Sequence, residues 1–516
     1  MSIFKIAFST WHDASVAVIA DGELDLLVCQ ERITHKKHDL FSEVLLKQLD
    51  ELKIHQETIS VCTLDENSNH HMYHAAHSFY DSGYKEAVCV VVDGMGSLVN
   101  INHPQFEKNS TGRESISIYK ASYPDKFELV HRIVSVPFEA NLCFDDQKSF
   151  AKNQISPGLM FQKTCENWSM NWYDAGKLMA MSSYADEKYF EETQKLYDWS
   201  GIDFWEPFNE KFFEIDKNDV RKVNLSKQFQ TFQEKANFCK WLQNYCQEYV
   251  RQTIVKAVEL SKCKNVCLSG GYFLNCVSNS YVRKNLPKNI KIFIEPICGD
   301  DGIAIGLANL VYHSETKSKR ARPLQTIYKG IKREIDISGD SVKPKDVAEL
   351  IANGKVVAIF QSRSECGPRA LGNRSILYDP RDVNGREKIN KLKGREDYRP
   401  LAATVLYEHA KKWFDMSFLD ESPYMLYTLD VLSDKIPAVC HVDNTCRIQT
   451  LKKNFNPHYY DLIYEFYKFT QTPLLLNTSF NLAGDTIVET TEDAIRTLNS
   501  SDIDYLYFPE KGILIS

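Results

Sequence analysis

Two consecutive segments each run from an apolar strand through a glycine turn into a helix, and this repeated unit constrains the fold more than anything else in the chain. The first reads NVCL over 265–268, then Ser269-Gly270-Gly271, then YFLNCVSNSYV. The second reads KIFIEP over 291–296, then Cys298-Gly299-Asp300-Asp301-Gly302, then IAIGLANLVY. Strand ends that turn on glycine into a helix start are where open α/β sheets bind ligands. A third apolar strand, AVCVVV over 87–92, closes on Asp93-Gly94-Met95-Gly96. Near the start, VAVIADG meets LDLLVCQER through the turn signal Asp21-Gly22, which predicts a β-hairpin. Further strands are expected over 3–9, 115–119 and 127–135. Phe238, Trp241, Leu242, Tyr245, Val250, Ile254 and Val258 predict a helix over 235–261.

The chain has 516 residues, too many for one typical core, so two or three domains are expected. The polar, basic stretch 313–325 (HSETKSKRARPLQ) reads as the start of the inter-domain connection, with a boundary in 312–345. Lys317, Lys319, Arg320 and Arg322 read there as a solvated linker rather than a binding patch. A strand at 355–360 begins a second α/β domain, which gives expected domains of 1–325 and 340–516. The net charge of -7 excludes a protein held mainly by nucleic-acid phosphates, although it leaves a nucleic acid open as substrate. No run of about 18 apolar residues occurs, which argues against a transmembrane helix. The N-terminal segment has no long apolar core and does not read as a signal peptide. The 14 cysteines form no C-x-x-C pair, so neither a zinc ribbon nor a thioredoxin-like site is expected. The expectation is a reduced, cytoplasmic protein.

Four clusters carry candidate chemistry. In Asn69-His70-His71-Met72-Tyr73-His74-Ala75-Ala76-His77, His70 and His74 are four apart and share one face of a helix, where they can bind a metal. His71 and His74 offer a second pair, and a polar helix surface rich in histidine is the plain alternative. Asp93 and Asp300 follow strand ends and can reach a shared cleft as further ligands, or serve as turn aspartates. His12, in His12-Asp13-Ala14-Ser15, reads as an acid, base or oxyanion donor, or as a turn histidine. The glycine turns at Gly270-Gly271 and Gly299–Gly302 suit close approach of a phosphate. With the third turn they suggest the duplicated nucleotide-binding architecture of the actin/sugar-kinase superfamily. Finally, ECGPRALGNRSI over 365–376 and KINKLKGREDYRP over 388–400 place Arg369, Arg374, Lys393, Arg395 and Arg399 among glycines and prolines, which suits a pocket for phosphate oxygens. His441-Val442-Asp443, Arg447-Ile448-Gln449 and Asn477–Asn481 alternate polar and apolar positions and read as strands with one polar face, either functional or open to solvent.

These residues resemble the NodU/CmcH-type O-carbamoyltransferases. E-x-G-P-R-A-L-G-x-R-S-I, K-x-R-E-x-x-R-P, H-V-D-x-T-x-R-x-Q-T and N-T-S-F-N stand in order in the second half. H-D-A-S, H-H-x-x-H, D-G-x-G, G-K-x-M, G-G-x-x-L-N-C and G-D-x-G stand in order in the first. The resemblance implies an actin-like (ASKHA, Kae1-like) duplicated N-terminal domain and a YrdC-like α/β C-terminal domain. It implies that carbamoyl phosphate and ATP form carbamoyladenylate in the second domain, with release of pyrophosphate. The carbamoyl group then passes inside the protein to an acceptor hydroxyl in the first.

By the same resemblance His70, His74, Asp93 and Asp300 match the metal-binding positions, with Fe(II) or another divalent metal as the ion. His12 matches a histidine needed for transfer. Lys393, Arg399, Arg369 and Ser479 match the carbamoyl phosphate and adenylate pocket. Gly176, Lys177, Gly270, Gly271 and Asn275 match nucleotide-contacting positions, with Mg accompanying ATP. The expected partner is an acceptor alcohol: a sugar, a natural-product alcohol, or a hydroxymethylated pyrimidine in a nucleotide or DNA. No membrane partner is expected, and a homodimer is open. The alternatives are a threonylcarbamoyl-type tRNA modification enzyme and an inactive nucleotide-binding regulator. Four positions depart from the family pattern: Ser97 where D-G-x-G is usually followed by Glu, Ala180 and Ala185 where Gly is usual, and Tyr272 where a smaller residue is typical.

Overall fold

The computed structural model describes residues 4–10, 12–51, 59–62, 69–101, 110–137, 141–144, 146–186, 213–216, 219–225 and 228–516. The protein is an α/β chain that divides into two units. The first takes its described residues from Met1–Trp11, Val16–Leu24 and Gln56–Leu324, the second from His12–Ser15, Asp25–His55 and Gln325–Ser516. This corrects the contiguous 1–325 domain expected from sequence. The reason lies in where the described residues 25–51 find their partners. Leu27 donates its N–H to the Lys329 carbonyl at 2.9 Å. Arg32 Nη2 donates to the Gly367 carbonyl at 3.0 Å, and His35 Nε2 lies 3.3 Å from Asp493 Oδ1.

In the first unit, three neighbouring strands are parallel: Lys291–Ile294 pairs with Asn265–Ser269, which pairs with Glu86–Val92. Thr111–Ser122 and Lys126–Ser135 continue the sheet antiparallel. Glu86–Val92 and Asn265–Ser269 are apolar and bury nearly every side chain, as strands covered on both faces must, while Lys291–Ile294 at the end of the sheet buries only Ile294 fully. Their C-terminal ends lie on one sheet edge. That edge therefore carries Asp93, Gly270-Gly271 and the turn leading to Asp300. The expected N-terminal hairpin forms as Ser15–Ala20 and Glu23–Cys29, with Asp21 (φ 51°) and Gly22 (φ 82°) in the left-handed turn that such a hairpin needs. The long helix runs Phe232–Ser261, starting three residues before the predicted span on a Thr231/Glu234 capping box. The polar 313–325 stretch begins inside the helix Ile303–Thr316, which Lys317 ends in the left-handed conformation.

His131 links this sheet to pH. It is 4% exposed and its ring lies 4.9 Å from that of Phe150. Burial, with Lys152 and Lys256 adding like charge, pulls its pKa from 6.5 down to about 4. The unfolded chain therefore takes up this proton first as pH falls. The stability that neutral His131 contributes is fully present above pH 6.5 and is lost as pH falls toward 4. That loss is on the order of 3 kcal/mol. Urea unfolding midpoints at pH 7 and pH 4.5 should differ less in His131→Phe than in the parent. Equal pH dependence in both would remove His131 from this account.

The second unit is built on a nine-stranded mixed sheet whose centre is Val357–Phe360, Arg374–Tyr378, Leu474–Ser479 and Ala402–Leu406. Both faces are covered. Tyr459, Leu462, Ile463 and Phe466 of the helix Pro457–Thr470 pack with Val347 and Ile351 on one face, while Ile389, Phe414, Ala494 and Leu498 lie on the other. His441-Val442-Asp443 is not a strand. Asn444 (φ 60°) bonds back to the His441 carbonyl, and Asp443 Oδ1 accepts from Thr445 N–H at 3.1 Å, which makes a turn; the strand starts at Thr445. The strand through Asn477 ends at Ser479.

Candidate active site

The helix His70–Asp81 builds the first cluster. Ala75, Ala76, Phe79 and Tyr80 pack with Ala87, Cys89 and Val91 of the sheet, so a different stripe is left for His70 and His74. This helix also packs tightly on Ile303–Thr316: a side chain at Gly306 would meet the Tyr73 carbonyl at 2.0 Å, so only glycine allows the approach. The approach sets His74 beside Asp300, which starts the turn before that second helix.

His70 Nε2 lies 3.2 Å from Asp93 Oδ2 and 3.6 Å from Asp300 Oδ1, and His74 Nε2 lies 3.3 Å from Asp300 Oδ1. One ligand atom from each of the four residues falls within 4.8 Å of the others, and all four residues are buried. Both imidazoles turn Nε2 inward, and Ser269 Oγ holds His74 Nδ1 at 3.3 Å. The remaining oxygen of Asp93 accepts the Gly271 N–H at 3.0 Å. Gly270 makes this turn feasible. It has φ 102°, and a Cβ there would meet the Val92 carbonyl oxygen at 2.2 Å. The glycine turn expected to meet nucleotide thus also fixes a carboxylate of the cluster.

The donor set fits a divalent metal. Metal–ligand bonds of about 2.0–2.2 Å imply tetrahedral ligand separations of about 3.3–3.6 Å, close to those observed. Two carboxylates with two neutral imidazoles carry a charge of −2 in a buried place, which a divalent ion balances. Burial opposes charge on His70, but Asp300 and Asp93 outweigh it and raise its pKa; the same imidazoles hold Asp93 far below the carboxylate range despite its burial.

Ser97, the departure after D-G-x-G, has a defined place here. Its Oγ accepts the His70 N–H at 3.2 Å, one of the open donors at the helix start. Its own N–H donates to Glu114 Oε2 at 3.2 Å. A carboxylate therefore stands next to the position where the family pattern has one, supplied by Glu114 from a neighbouring strand.

The other first-unit residues do not join this cluster. Lys177 pairs with Asp174 at 3.0 Å, beside exposed Gly176. Asn275 Oδ1 caps its helix through Ser278 N–H at 3.0 Å, while its Nδ2 donates to Gln243 Oε1 at 2.9 Å. Its side chain is already engaged in holding the fold. Tyr272 is buried, with its hydroxyl 2.8 Å from Ser278 Oγ.

In the second unit, His12 Nδ1 lies 2.8 Å from Asp13 Oδ2, and His38 Nδ1 lies 2.6 Å from Asp13 Oδ1. Burial opposes the Asp13 charge, yet the two histidines hold its pKa down at about 2. His12 is thus oriented by a carboxylate that sequence reading left without a role.

The cationic cluster forms around Lys393, which is 1% exposed. Its ammonium donates to the carbonyl of Ser479, to the carbonyl of Asn481 at 2.8 Å and to Asn481 Oδ1 at 2.9 Å, with Ser479 Oγ at 3.3 Å. Three donors thus meet four acceptors, all in the Ser479–Asn481 turn. Burial pushes its pKa well down, and Arg395, Lys37 and Arg399 add repulsion. Burial likewise brings Arg395 down to about 9, with Arg399 and Arg447 adding to it. A crowd of cations that depress one another is a site for an anion. Arg399 is half-buried, with Glu396 Oε2 at 3.7 Å. Half-buried Arg369 precedes Ala370, whose carbonyl accepts from Asn477 Nδ2 at 3.3 Å. Arg374 faces elsewhere: fully buried, it donates to the Gln361 carbonyl at 2.7 Å and stacks 3.6 Å over the Phe360 ring. Asn477, Thr404 and Gln449 form a buried chain that ends on the Leu371 carbonyl. Gln449 and Asn477 of these strands are therefore buried, while Arg447 and Ser479 are part-exposed.

Two family models match the chain, Carbamoyltransferase N-terminus over residues 40–309 and Carbamoyltransferase C-terminus over 348–514. This defines the class: an enzyme of the carbamoyltransferase kind. The chain belongs to the carbamoyltransferase family of the NodU/CmcH type. It is 29% identical to nodulation protein NolNO of Sinorhizobium fredii, over 85% of this chain and 62% of that protein. It is 30% identical to the uncharacterized protein MJ1058 of Methanocaldococcus jannaschii, over 86% and 73%. It is also 35% identical to the 3'-hydroxymethylcephem-O-carbamoyltransferase of Streptomyces clavuligerus, over 46% of each. Among solved structures, T. kodakarensis HypF aligns at 13% identity over 62% of this chain and 50% of that one, with a TM-score of 0.33, too low to bear on the fold. Among the described residues, no helix is long and apolar enough to cross a membrane.

Proposed function

We propose that this protein is an ATP-dependent O-carbamoyltransferase. In this reading water cleaves carbamoyl phosphate to carbamate and phosphate in the second unit, a carbamate oxygen attacks the ATP α-phosphorus to give carbamoyladenylate with release of pyrophosphate, and the carbamoyl group then passes to an acceptor hydroxyl with AMP as the leaving group. The observation that carries it is the buried His70/His74/Asp93/Asp300 cluster in a chain matched by both carbamoyltransferase models.

Carbamoyl phosphate is a weak electrophile toward an alcohol, and adenylation supplies a better leaving group. Joining two phosphorylated substrates requires their charges to be offset. Arg395, Arg399 and Arg369 supply the cations, and Lys393 holds the Ser479–Asn481 turn while adding its field. In the first unit, His70, His74, Asp93 and Asp300 would hold Fe(II) or another divalent ion. When bound, that ion supplies Lewis acidity toward a carbamoyl or phosphoryl oxygen. Ser269 and Gly271 keep His74 and Asp93 aimed inward. His12, oriented by Asp13, is the group suited to accept the acceptor's hydroxyl proton. The parallel strand ends of the first unit suit an actin-like fold, and the second unit is read as YrdC-like. The acceptor is a small-molecule or nucleotide alcohol, in keeping with the hydroxymethyl substrate named for one relative; a hydroxymethylated pyrimidine in DNA is a further case.

The test uses purified full-length protein with ATP, with and without carbamoyl phosphate. Pyrophosphate should appear only when carbamoyl phosphate is present, and candidate alcohols should then gain one carbamoyl group by mass. Pyrophosphate release that needs threonine and bicarbonate instead would point to the tRNA-modifying class, and none under any condition would contradict the reading.

A further inference from the structure

The stripe that carries His70 and His74 continues. His77 and Asp81 follow at spacings of three and four, so 70, 74, 77 and 81 share one helix face. His77 Nε2 lies 3.4 Å from Asp81 Oδ2 and 3.3 Å from Glu295 Oε1, which directly follows the strand Lys291–Ile294. His77 and Glu295 are 0% exposed and Asp81 7%. Glu295 Oε1 accepts the Ile297 N–H at 3.1 Å. Glu295 Oε2 is buried without a hydrogen-bond partner, and Asp81 Oδ2 and His77 Nε2 meet only at ion-pair distance, outside hydrogen-bond geometry. Polar atoms left this way around one point are costly unless something occupies it.

We infer that His77, Asp81 and Glu295 bind a second divalent transition-metal ion, separate from the His70/His74/Asp93/Asp300 cluster. The donors are one imidazole and two carboxylates, the nitrogen and oxygen ligands that zinc-class ions take. Their separations of 3.3 and 3.4 Å match the edges of such a ligand set. Two carboxylates and a neutral imidazole carry −2 in a fully buried place, and one divalent ion cancels it. Gly302 is part of the enclosure: a Cβ there would stand 2.6 Å from the His77 ring. All three ligands are buried, and a three-donor set leaves one position of a tetrahedral ion for a further donor. The ion ties the helix bearing His70 and His74 to the end of the neighbouring strand.

Full-length protein is dialysed against Zn(II) and then metal-free buffer, and zinc per chain is counted by mass spectrometry. The parent is expected to hold two, and Glu295→Gln and His77→Asn one each. His74→Ala should also hold one, and that one should be lost when Glu295→Gln is added. If the first cluster takes no zinc, the parent holds one and Glu295→Gln none, which still supports the second site. Equal zinc in the parent, Glu295→Gln and His77→Asn overturns it. Anomalous diffraction at the zinc edge from the unsubstituted protein gives the same answer without any variant: a peak among His77, Asp81 and Glu295 supports the site, and no peak there overturns it.

Discussion

Asp300→Asn is expected to lower carbamoyl transfer to an acceptor by at least ~10²-fold while leaving carbamoyl phosphate-dependent pyrophosphate release within about twofold. Asp300 Oδ1 lies within ion-pair distance of both His70 Nε2 and His74 Nε2, at 3.6 and 3.3 Å. The amide keeps the shape and removes the charge. Asp93 would then be the one carboxylate left in the cluster, and a divalent ion would be half balanced. The residues proposed to form the adenylate belong to the other unit, so the first half-reaction should continue. The measurement follows both half-reactions on one preparation, with bound metal counted in parallel. If transfer and pyrophosphate release fall together, or transfer is unchanged, the division of labour between the two clusters is wrong.

Lys393→Met should abolish carbamoyl phosphate-dependent pyrophosphate release, by at least ~10²-fold. Two opposing terms act on stability. The ammonium leaves behind acceptors on Ser479 and Asn481, at about 1–3 kcal/mol for each buried group left unpaired. Against this, removing a buried cation relieves repulsion with Arg395, Arg399 and Lys37. The net change in unfolding free energy should be small beside the loss of activity. Lys393→Arg should not rescue, because a planar fork cannot replace a compact ammonium whose donors converge on one turn. Substantial pyrophosphate release by Lys393→Met in a folded protein would remove this residue from adenylate formation. Rescue by Lys393→Arg would show that charge alone suffices.

Much of the first cluster was legible because its spacing is local. An i,i+4 histidine pair and aspartates that follow apolar strands can be read along the chain, and the structure brings these four together. Ser269, Gly271 and Glu114 were not legible as partners. Each is ordinary in its own segment and meets the cluster only through sheet register or a turn. Lys393 was visible as a cation, but its saturation by Ser479 and Asn481 depends on a turn 86 residues away. Asn275 shows the reverse: the motif marks it for a ligand, while the fold uses it as a cap.

The sequence by itself determined the α/β class, the cationic run at 388–400 and the histidine helix, because glycine turns, hydrophobic period and local charge act over a few residues. Only the tertiary structure decided which carboxylates face which imidazoles, that the described residues 25–51 group with the C-terminal unit, and that Glu295 meets His77 and Asp81. Those contacts join residues tens to hundreds of positions apart. They are fixed by strand order and close helix approach at Gly306, which no local pattern encodes.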